Sequence, residues 1–300
     1  MANRTISWLL ALLCVAAVVH VGCGGGEGTG AGTVRIEGSD TMVNLAQAWA
    51  ERYHRMHPGV SVQVQGGGSG VGFASMTDGN CDIAASSREI RPRERERIAA
   101  QLGEPEEHIV GYDALAIYVN RGNPLEEITI EQLAEIYREG GTITRWSQLG
   151  GPDIEITRVS RQNNSGTYAY FREAVLGKNR EYKLGSIDQS GSKDVVALVA
   201  TTPGAIGYSG MGYATDKIKT LKVARATGEP AYAPTVENVL TGKYPITRPL
   251  YLYTCGNTRE EVQKFIEWIE SPEGQAIIVE LGFVPRDRKN QHPVGQPRSE

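Results

Sequence analysis

The stretch that decides how the chain folds runs Arg161-Gln162-Asn163-Asn164-Ser165-Gly166-Thr167-Tyr168-Ala169-Tyr170-Phe171-Arg172-Glu173-Ala174-Val175-Leu176. Its second half predicts a helix, because Tyr168, Phe171, Val175 and Leu176 fall on one apolar stripe. Serine is a good helix cap, so Ser165, Gly166 and Thr167 are expected to offer free N–H groups at the helix start. With Arg161 at the end of the preceding strand, these groups could grip a compact oxyanion without a metal. The alternative is an ordinary capped helix after a polar loop.

Length and composition allow two lobes and exclude some partners. The chain has 300 residues, of which 40% are hydrophobic, enough to bury a sizeable core. Its formal net charge is −4 and its pI is near 5.9, so neither nucleic acid nor an anionic membrane surface is an expected partner.

The first residues predict export from the cytoplasm. Arg4 precedes an apolar run over residues 6–19, which is the length of a signal peptide core rather than of a membrane span. Cys23 and a glycine-rich tether over 23–32 follow, a pattern similar to bacterial lipoprotein signals, although His20 departs from it. We therefore expect a signal peptide over 1–22 and a lipid on Cys23; a plain secretory signal is the alternative.

Two cysteines remain in the exported domain, Cys81 and Cys255. In an oxidising compartment they could form a disulfide, or they could be two separate buried thiols. Their spacing does not distinguish these alternatives.

The first third of the chain repeats one pattern three times: a strand, a turn of glycine or hydroxyl residues, and a helix. The strands cover 33–38, 60–64 and 82–85, and the turns that follow them contain Ser39-Asp40-Thr41, Gly66 to Gly72, and Ser86-Ser87-Arg88. This is the α/β pattern, which places a ligand at the carboxyl ends of the strands.

Two long apolar segments, 109–120 and 245–253, predict strands that cross between two lobes. The first lobe is then expected to comprise 33–115 and 252–290, and the second lobe 116–251. The polar residues 291–300 are expected to form a mobile tail.

Several enzyme signatures are missing from the sequence. It contains neither a GxxxxGK[ST] nucleotide loop nor a G-x-S-x-G nucleophile elbow. His54 and His57 are three residues apart, but no cysteine or carboxylate pattern completes a zinc site around them. We therefore expect no catalysis, no metal and no cofactor.

Hydroxyl, glycine and arginine residues recur at four strand-to-helix turns. Each turn alone could be a helix cap. Together, at the carboxyl ends of strands in a two-lobed chain, they predict donors around one tetrahedral anion. The residues are Ser39, Thr41, Ser69, Gly70, Ser87, Arg88, Arg161, Ser165, Gly166 and Thr167.

From Val34 to Pro285 the sequence resembles the substrate-binding proteins of bacterial phosphate ABC transporters, of the PstS type. The motifs that carry the resemblance are Gly38-Ser39-Asp40-Thr41, Gly66-Gly67-Gly68-Ser69-Gly70, 82–88, 161–167, Gly204-Ala205-Ile206-Gly207-Tyr208, 244–250 and Ser271-Pro272-Glu273-Gly274.

The resemblance implies a two-lobed periplasmic-binding-protein (type II) fold with a ligand cleft between the lobes. It implies capture of inorganic phosphate outside the cytoplasm and delivery to a membrane permease, by a monomer that reaches the membrane only through its lipid. A phosphate-binding role carries over to Arg161, Ser165, Gly166 and Thr167, and the matching first and second loops add Ser39 to Thr41 and Ser69.

One departure from the family concerns the proton of hydrogen phosphate. Some members have an aspartate after the strand that here ends in Ser87-Arg88, and its carboxylate accepts that proton. Arg88 cannot accept a proton in this way, so our hypothesis gives the role to Asp40; the alternative is that Asp40 only caps its helix. A binder of sulfate, molybdate or tungstate, or a phosphate-ester hydrolase, remains a rival function.

Overall fold

A computed structural model describes residues 32–286. The predicted signal peptide, Cys23 and the tail 291–300 lie outside the described residues, as does most of the tether. Gly32, which was expected to end the tether, already pairs with Val60 in the first strand.

The described chain alternates strands and helices along its length. The strands are Gly32–Gly38 (β1), Val60–Gln65 (β2), Ile83–Ser86 (β3), Pro105–Asn120 (β4), Glu127–Thr129 (β5), Thr157–Arg161 (β6), Ile187–Gln189 (β7), Ala205–Gly210 (β8), Ile218–Ala224 (β9), Thr247–Cys255 (β10) and Val284–Pro285 (β11). The helices are Val43–Met56 (α1), Ser69–Thr77 (α2), Pro92–Leu102 (α3), Ile130–Tyr137 (α4), Gly166–Phe171 (α5), Ser192–Thr201 (α6), Val236–Leu240 (α7), Glu260–Glu270 (α8) and Pro272–Glu280 (α9).

The strands at the start of the chain place three turns at one edge of the sheet. β1 pairs in parallel with both β2 and β3. Because parallel strands end at the same edge, the turns after Gly38, Gln65 and Ser86 must lie close together.

The long strand β4 changes partners part-way along its length. Up to Ala114 it pairs with β10, and from Leu115 onward it pairs with β8. β8 pairs in parallel with β6, and β6 pairs in parallel with β7. These strands form a second group. Thus β4 runs from one group of strands into the other, as its apolar segment predicts; the crossing of β10 and the lobe bounds stay predictions.

Two large buried clusters fill the interior, and the first of them contains residues of both groups of strands, such as Val34 of β1 and Val159 of β6. Trp49 of α1 and Phe265 of α8 belong to one large buried cluster, and Trp146 and Phe171 belong to another. Met56, at the end of the apolar stripe of α1, is an exception, because it is 41% exposed. Within residues 32–286, no helix combines the length and the apolar character that a membrane span requires.

The two cysteines of the domain are free thiols. Cys81 is buried, and its Sγ lies 3.8 Å from the carbonyl oxygen of Gly72. Burial raises the pKa of the Cys81 thiol to about 12, so this thiol is protonated and unreactive at neutral pH.

Candidate oxyanion-binding site

The fold brings the predicted turns of the first lobe against the start of α5 in the second. Gly166 marks the meeting point. A Cβ on Gly166 would lie 2.6 Å from Ser87 Oγ and closer still to Ser69 Oγ. Hydroxyls from two turns of one lobe therefore converge on one glycine of the other, and only a residue without a side chain fits there.

Ser87 presents a hydroxyl with no protein partner. It is 1% exposed, and its Oγ has no hydrogen-bond partner among the described residues. Its backbone N–H donates to Ser69 Oγ at 3.1 Å. Buried hydroxyls are normally satisfied, so an orphaned one beside Gly166 indicates a place for a ligand atom.

The start of α5 offers fewer free N–H groups than the sequence predicts. The Ser165 side chain caps the helix as expected, and its Oγ accepts the N–H of Thr167 at 3.1 Å. The N–H of Ser165 donates to the carbonyl of Gln162. Two of these three N–H donors are thus already used, and the N–H of Gly166 is the one of the three that has no acceptor among the described residues. The expectation of three free N–H groups was wrong, because the cap uses one donor and the preceding turn another.

Arg161 lies almost fully buried at the end of β6, with 1% of its surface exposed. Its Nη2 donates to Asp40 Oδ2 and to the carbonyl of Ser190, both at 2.8 Å, and its Nη1 donates to Ser192 Oγ at 3.2 Å. Burial lowers the pKa of Arg161, and the charge of Asp40 opposes that shift. The guanidinium nevertheless stays charged, since arginine does not deprotonate in proteins.

Asp40 joins the two lobes and does not cap its helix. Besides Arg161, its carboxylate accepts the N–H of Gly67 at 2.9 Å through Oδ1. α1 begins after Met42 with no side-chain cap. The capping alternative for Asp40 was therefore wrong, because the aspartate is held by the second loop and by the other lobe.

Further contacts close the two lobes around this point. Thr41 Oγ1 lies 2.9 Å from Thr167 Oγ1. The N–H of Gly70 donates to the carbonyl of Asn164 at 3.0 Å, and Asn164 Nδ2 donates to the carbonyl of Gly67 at 2.9 Å. Ser39 is buried in the same turn as Thr41, and its N–H donates to the carbonyl of Ala85.

Arg88 is committed to a neighbouring carboxylate. Both of its terminal nitrogens donate to Glu94, at 2.8 and 2.7 Å, and its guanidinium stacks over Phe73. Its placement as a phosphate ligand stays a prediction, and its strongest partner here is Glu94.

A second buried arginine, Arg248 on β10, lies beneath the site. Its Nε and Nη2 donate to Asp113 Oδ2 at 3.1 and 2.8 Å, and Nη2 also donates to Thr41 Oγ1 at 3.2 Å. Its Nη1 donates to the carbonyl of Ser87. It is 1% exposed and Asp113 is 0% exposed. Burial raises the pKa of Asp113, and Arg248 opposes that shift.

Sequence reasoning missed this pair as part of the site. The available signal was one charge inside each of two apolar crossing strands, Asp113 in the first and Arg248 in the second. Opposite charges in buried strands are paired, so the two residues could have been expected to meet. Arg161 is therefore not the only buried guanidinium near the candidate site.

The described residues hold no group of three or more histidine, cysteine or carboxylate side chains able to bind a metal ion. What the arrangement offers an anion is hydroxyls, the N–H of Gly166 and guanidinium charge. In a dry site such charge-assisted bonds are strong and need no metal.

Comparisons with known proteins place the chain in a family. A family model described as a PBP superfamily domain matches residues 24–273. The phosphate-binding protein PstS of Pseudomonas aeruginosa is 32% identical over 273 residues, covering 86% of this chain and 84% of that protein. This chain belongs to the PstS family. PstS of Bacillus subtilis is also 32% identical, and the match covers 87% of this chain and 83% of the Bacillus protein.

A solved substrate-binding protein shares the fold. The crystal structure of a phosphate ABC transporter substrate-binding protein from Clostridium perfringens, with bound phosphate, is 31% identical and has a TM-score of 0.77. The structural match covers 85% of this chain and the whole of the Clostridium chain. The two-lobed periplasmic-binding-protein fold expected from the sequence is thus confirmed.

Proposed function

We propose that this protein captures inorganic phosphate outside the cytoplasm and delivers it to the permease of an ABC transporter. The observation that carries the proposal is the unpartnered hydroxyl of Ser87, buried between the lobes against Gly166. A tetrahedral anion there would accept from Ser87, Ser69 and the N–H of Gly166. The names of the PstS relatives and the phosphate bound in the Clostridium structure support the choice of anion.

Binding by this site requires no bond to be made or broken. The ligands we propose are Ser39, Asp40, Thr41, Ser69, Ser87, Arg88, Arg161, Ser165, Gly166 and Thr167, with Arg248 holding the first and third turns from below. Lobe closure would remove water and strengthen each contact. No general base stands beside a nucleophile in this set, which disfavours the rival phosphate-ester hydrolase.

Selectivity for phosphate over sulfate would come from Asp40. Its two oxygens each accept one hydrogen bond, and each keeps a lone pair that could accept the P–OH of hydrogen phosphate. A fully ionised sulfate has no proton to offer and would face an acceptor. Asp40 is thus the proposed proton acceptor in place of the family's aspartate.

We further propose that the protein acts as a monomer held at the outer face of a membrane by a lipid on Cys23. The sequence pattern before the tether supports this anchor. In fractionated cells, Cys23→Ser should move the protein from the membrane to the soluble fraction; retention in the membrane would refute the anchor.

Isothermal titration calorimetry with phosphate, sulfate and molybdate on one sample tests the function. We expect one phosphate per chain and much weaker heats with the other anions. Arg161→Ala should weaken phosphate binding by about 3 kcal/mol or more, since it leaves Asp40 unpaired and removes a buried countercharge. Arg158→Ala, on the same strand, is the matched control and should bind normally. Tight sulfate or molybdate binding without phosphate binding would refute the choice of anion, and phosphatase activity in the same sample would favour the hydrolase.

A further inference from the structure

A cavity of about 520 Å³ opens at the junction of the two lobes. Its lining residues are Arg91, Asn163, Asn164, Tyr168, Ala169 and Arg172. Arg91 immediately precedes α3 in the first lobe, whereas the others belong to the loop and helix of the α5 region in the second. The cavity is therefore built from both sides of the cleft.

Asn164 separates this outer cavity from the inner site. Its carbonyl accepts from Gly70 and its amide donates to Gly67, so it ties the lobes together. The residues that follow Asn164 are Ser165 to Thr167, which face the inner hydroxyls. An anion in the outer cavity would lie just beyond the contact that encloses the inner site.

Guanidinium groups face this outer cavity from both lobes. Arg91 is exposed and forms no salt bridge with any residue in the described range 32–286. Arg172 pairs with Glu181, a carboxylate that is 63% exposed and therefore well screened by water. The pKa of Arg91 is lowered, first by partial withdrawal from water and then by the positive charge of Arg88; the Glu94 carboxylate opposes this shift, and Arg172 adds a smaller lowering. The three arginines are thus within electrostatic reach of one another.

We propose that the outer cavity is an encounter site for dianionic oxyanions, which Arg91 and Arg172 attract before the anion passes into the inner site. The proposal rests on the proposed phosphate function and adds its entry route. A chain of net charge −4 repels a phosphate dianion at long range. A local cluster of positive charge at the entrance to the cleft attracts the anion at short range, which raises the association rate.

An encounter site should act on the association rate and leave the dissociation rate nearly unchanged. The anion held in the inner site would be separated from the outer cavity by Asn164. Among the described residues, neither Arg91 nor Arg172 contacts the hydroxyls of the inner site. Steering by exposed charges also fades as salt shortens the screening length, to ~10 Å at 0.1 M and ~3 Å at 1 M.

The test uses the double variant Arg91→Gln/Arg172→Gln. Radiolabelled phosphate at nanomolar concentration is mixed with protein and filtered at timed intervals, and a chase with unlabelled phosphate gives the dissociation rate. The matched control is Arg93→Gln/Arg97→Gln, which removes two exposed charges from helix α3, directly after Arg91, neither of them lining the cavity.

We expect the association rate of the cavity variant to fall by about five-fold or more relative to the control at low salt, and by less than about two-fold at 1 M salt. Equal association rates for both variants at low salt would overturn the encounter site. So would an effect confined to the dissociation rate, because the arginines would then hold the lobes closed. If the unmodified protein retains no phosphate on the filter, the proposed function itself fails, which is a different outcome.

Discussion

Arg248→Met tests how much of the stability depends on the buried pair beneath the site. The substitution removes two bonds to Asp113, one to Thr41 and one to the carbonyl of Ser87. It leaves the Asp113 carboxylate fully buried, with the N–H of Met211 at 3.1 Å as its one remaining donor among the described residues. Breaking a buried ion pair in this way costs about 3 to 5 kcal/mol. Domains are stable by roughly 5 to 15 kcal/mol, so the variant should fold but be markedly weakened.

The loss should depend on pH in a defined direction. Burial raises the pKa of Asp113, and Arg248 opposes that rise, so removing Arg248 raises the pKa further. A carboxyl group whose pKa is higher in the folded state than in the unfolded state destabilises the fold while it is charged. As the pH falls through its folded-state pKa, the carboxyl group takes up a proton and this destabilisation is relieved. The variant should therefore lose less stability at pH 5 than at pH 8.

Urea unfolding followed by circular dichroism at the two pH values measures both effects. Asp113→Asn/Arg248→Met should recover much of the loss, because no buried charge remains unpaired. Arg145→Met is the control, since the pair of Arg145 with Asp153 lies on the surface and should contribute almost nothing. If the Arg248 variant unfolds at the same urea concentration as this control, our reasoning about the buried pair is refuted.

Two further substitutions probe the inner site by calorimetry. Gly166→Ala should abolish phosphate binding, because the new methyl group would overlap the hydroxyls of the opposite lobe, whereas Gly59→Ala meets no atom within 4 Å and should bind normally. Asp40→Asn should weaken phosphate binding more than sulfate binding; an equal loss for both anions would end the proton-acceptor hypothesis. Asp82→Asn is its matched control, since Asp82 also pairs with arginines and has a similar side-chain exposure of 15% against 16%.

The outline of the fold could be predicted from the sequence because its signals are local. The repeated pattern of strand, turn and helix in the first third of the chain and the cap before α5 correspond to elements in the structure. β9 and α7 were not anticipated. β9 mixes two lysines and a threonine with aliphatic residues, and its place depends on pairing with β4 rather than on its own pattern.

The helix after Ser165 shows a subtler limit. Its apolar residues Phe171, Val175 and Leu176 are buried as predicted, but the backbone changes from α-helix to π-helix at Arg172. Tyr168, placed on the same stripe, is only partly buried. A period of 3.6 residues identifies an apolar face and does not reveal a widened turn.

The site could be predicted as a set of turns but not as a set of bonds. The turns that carry hydroxyl groups could be predicted because strand ends and glycines can be recognised in the local sequence. The partners of Arg88, Asp40 and Arg248 depend on which loops meet in space, over sequence separations as large as the 207 residues between Arg248 and Thr41. The pairing of Arg248 with Asp113 follows from the register of β10 against β4, which no local pattern contains.

The most direct test of the central claim is a crystal structure of this protein grown with phosphate. We predict one anion between the lobes, with an oxygen at a hydrogen-bonding distance of about 2.7 to 3.1 Å from Ser87 Oγ and another near the N–H of Gly166. Phosphate bound elsewhere, with Ser87 still unpartnered beside Gly166, would contradict the account.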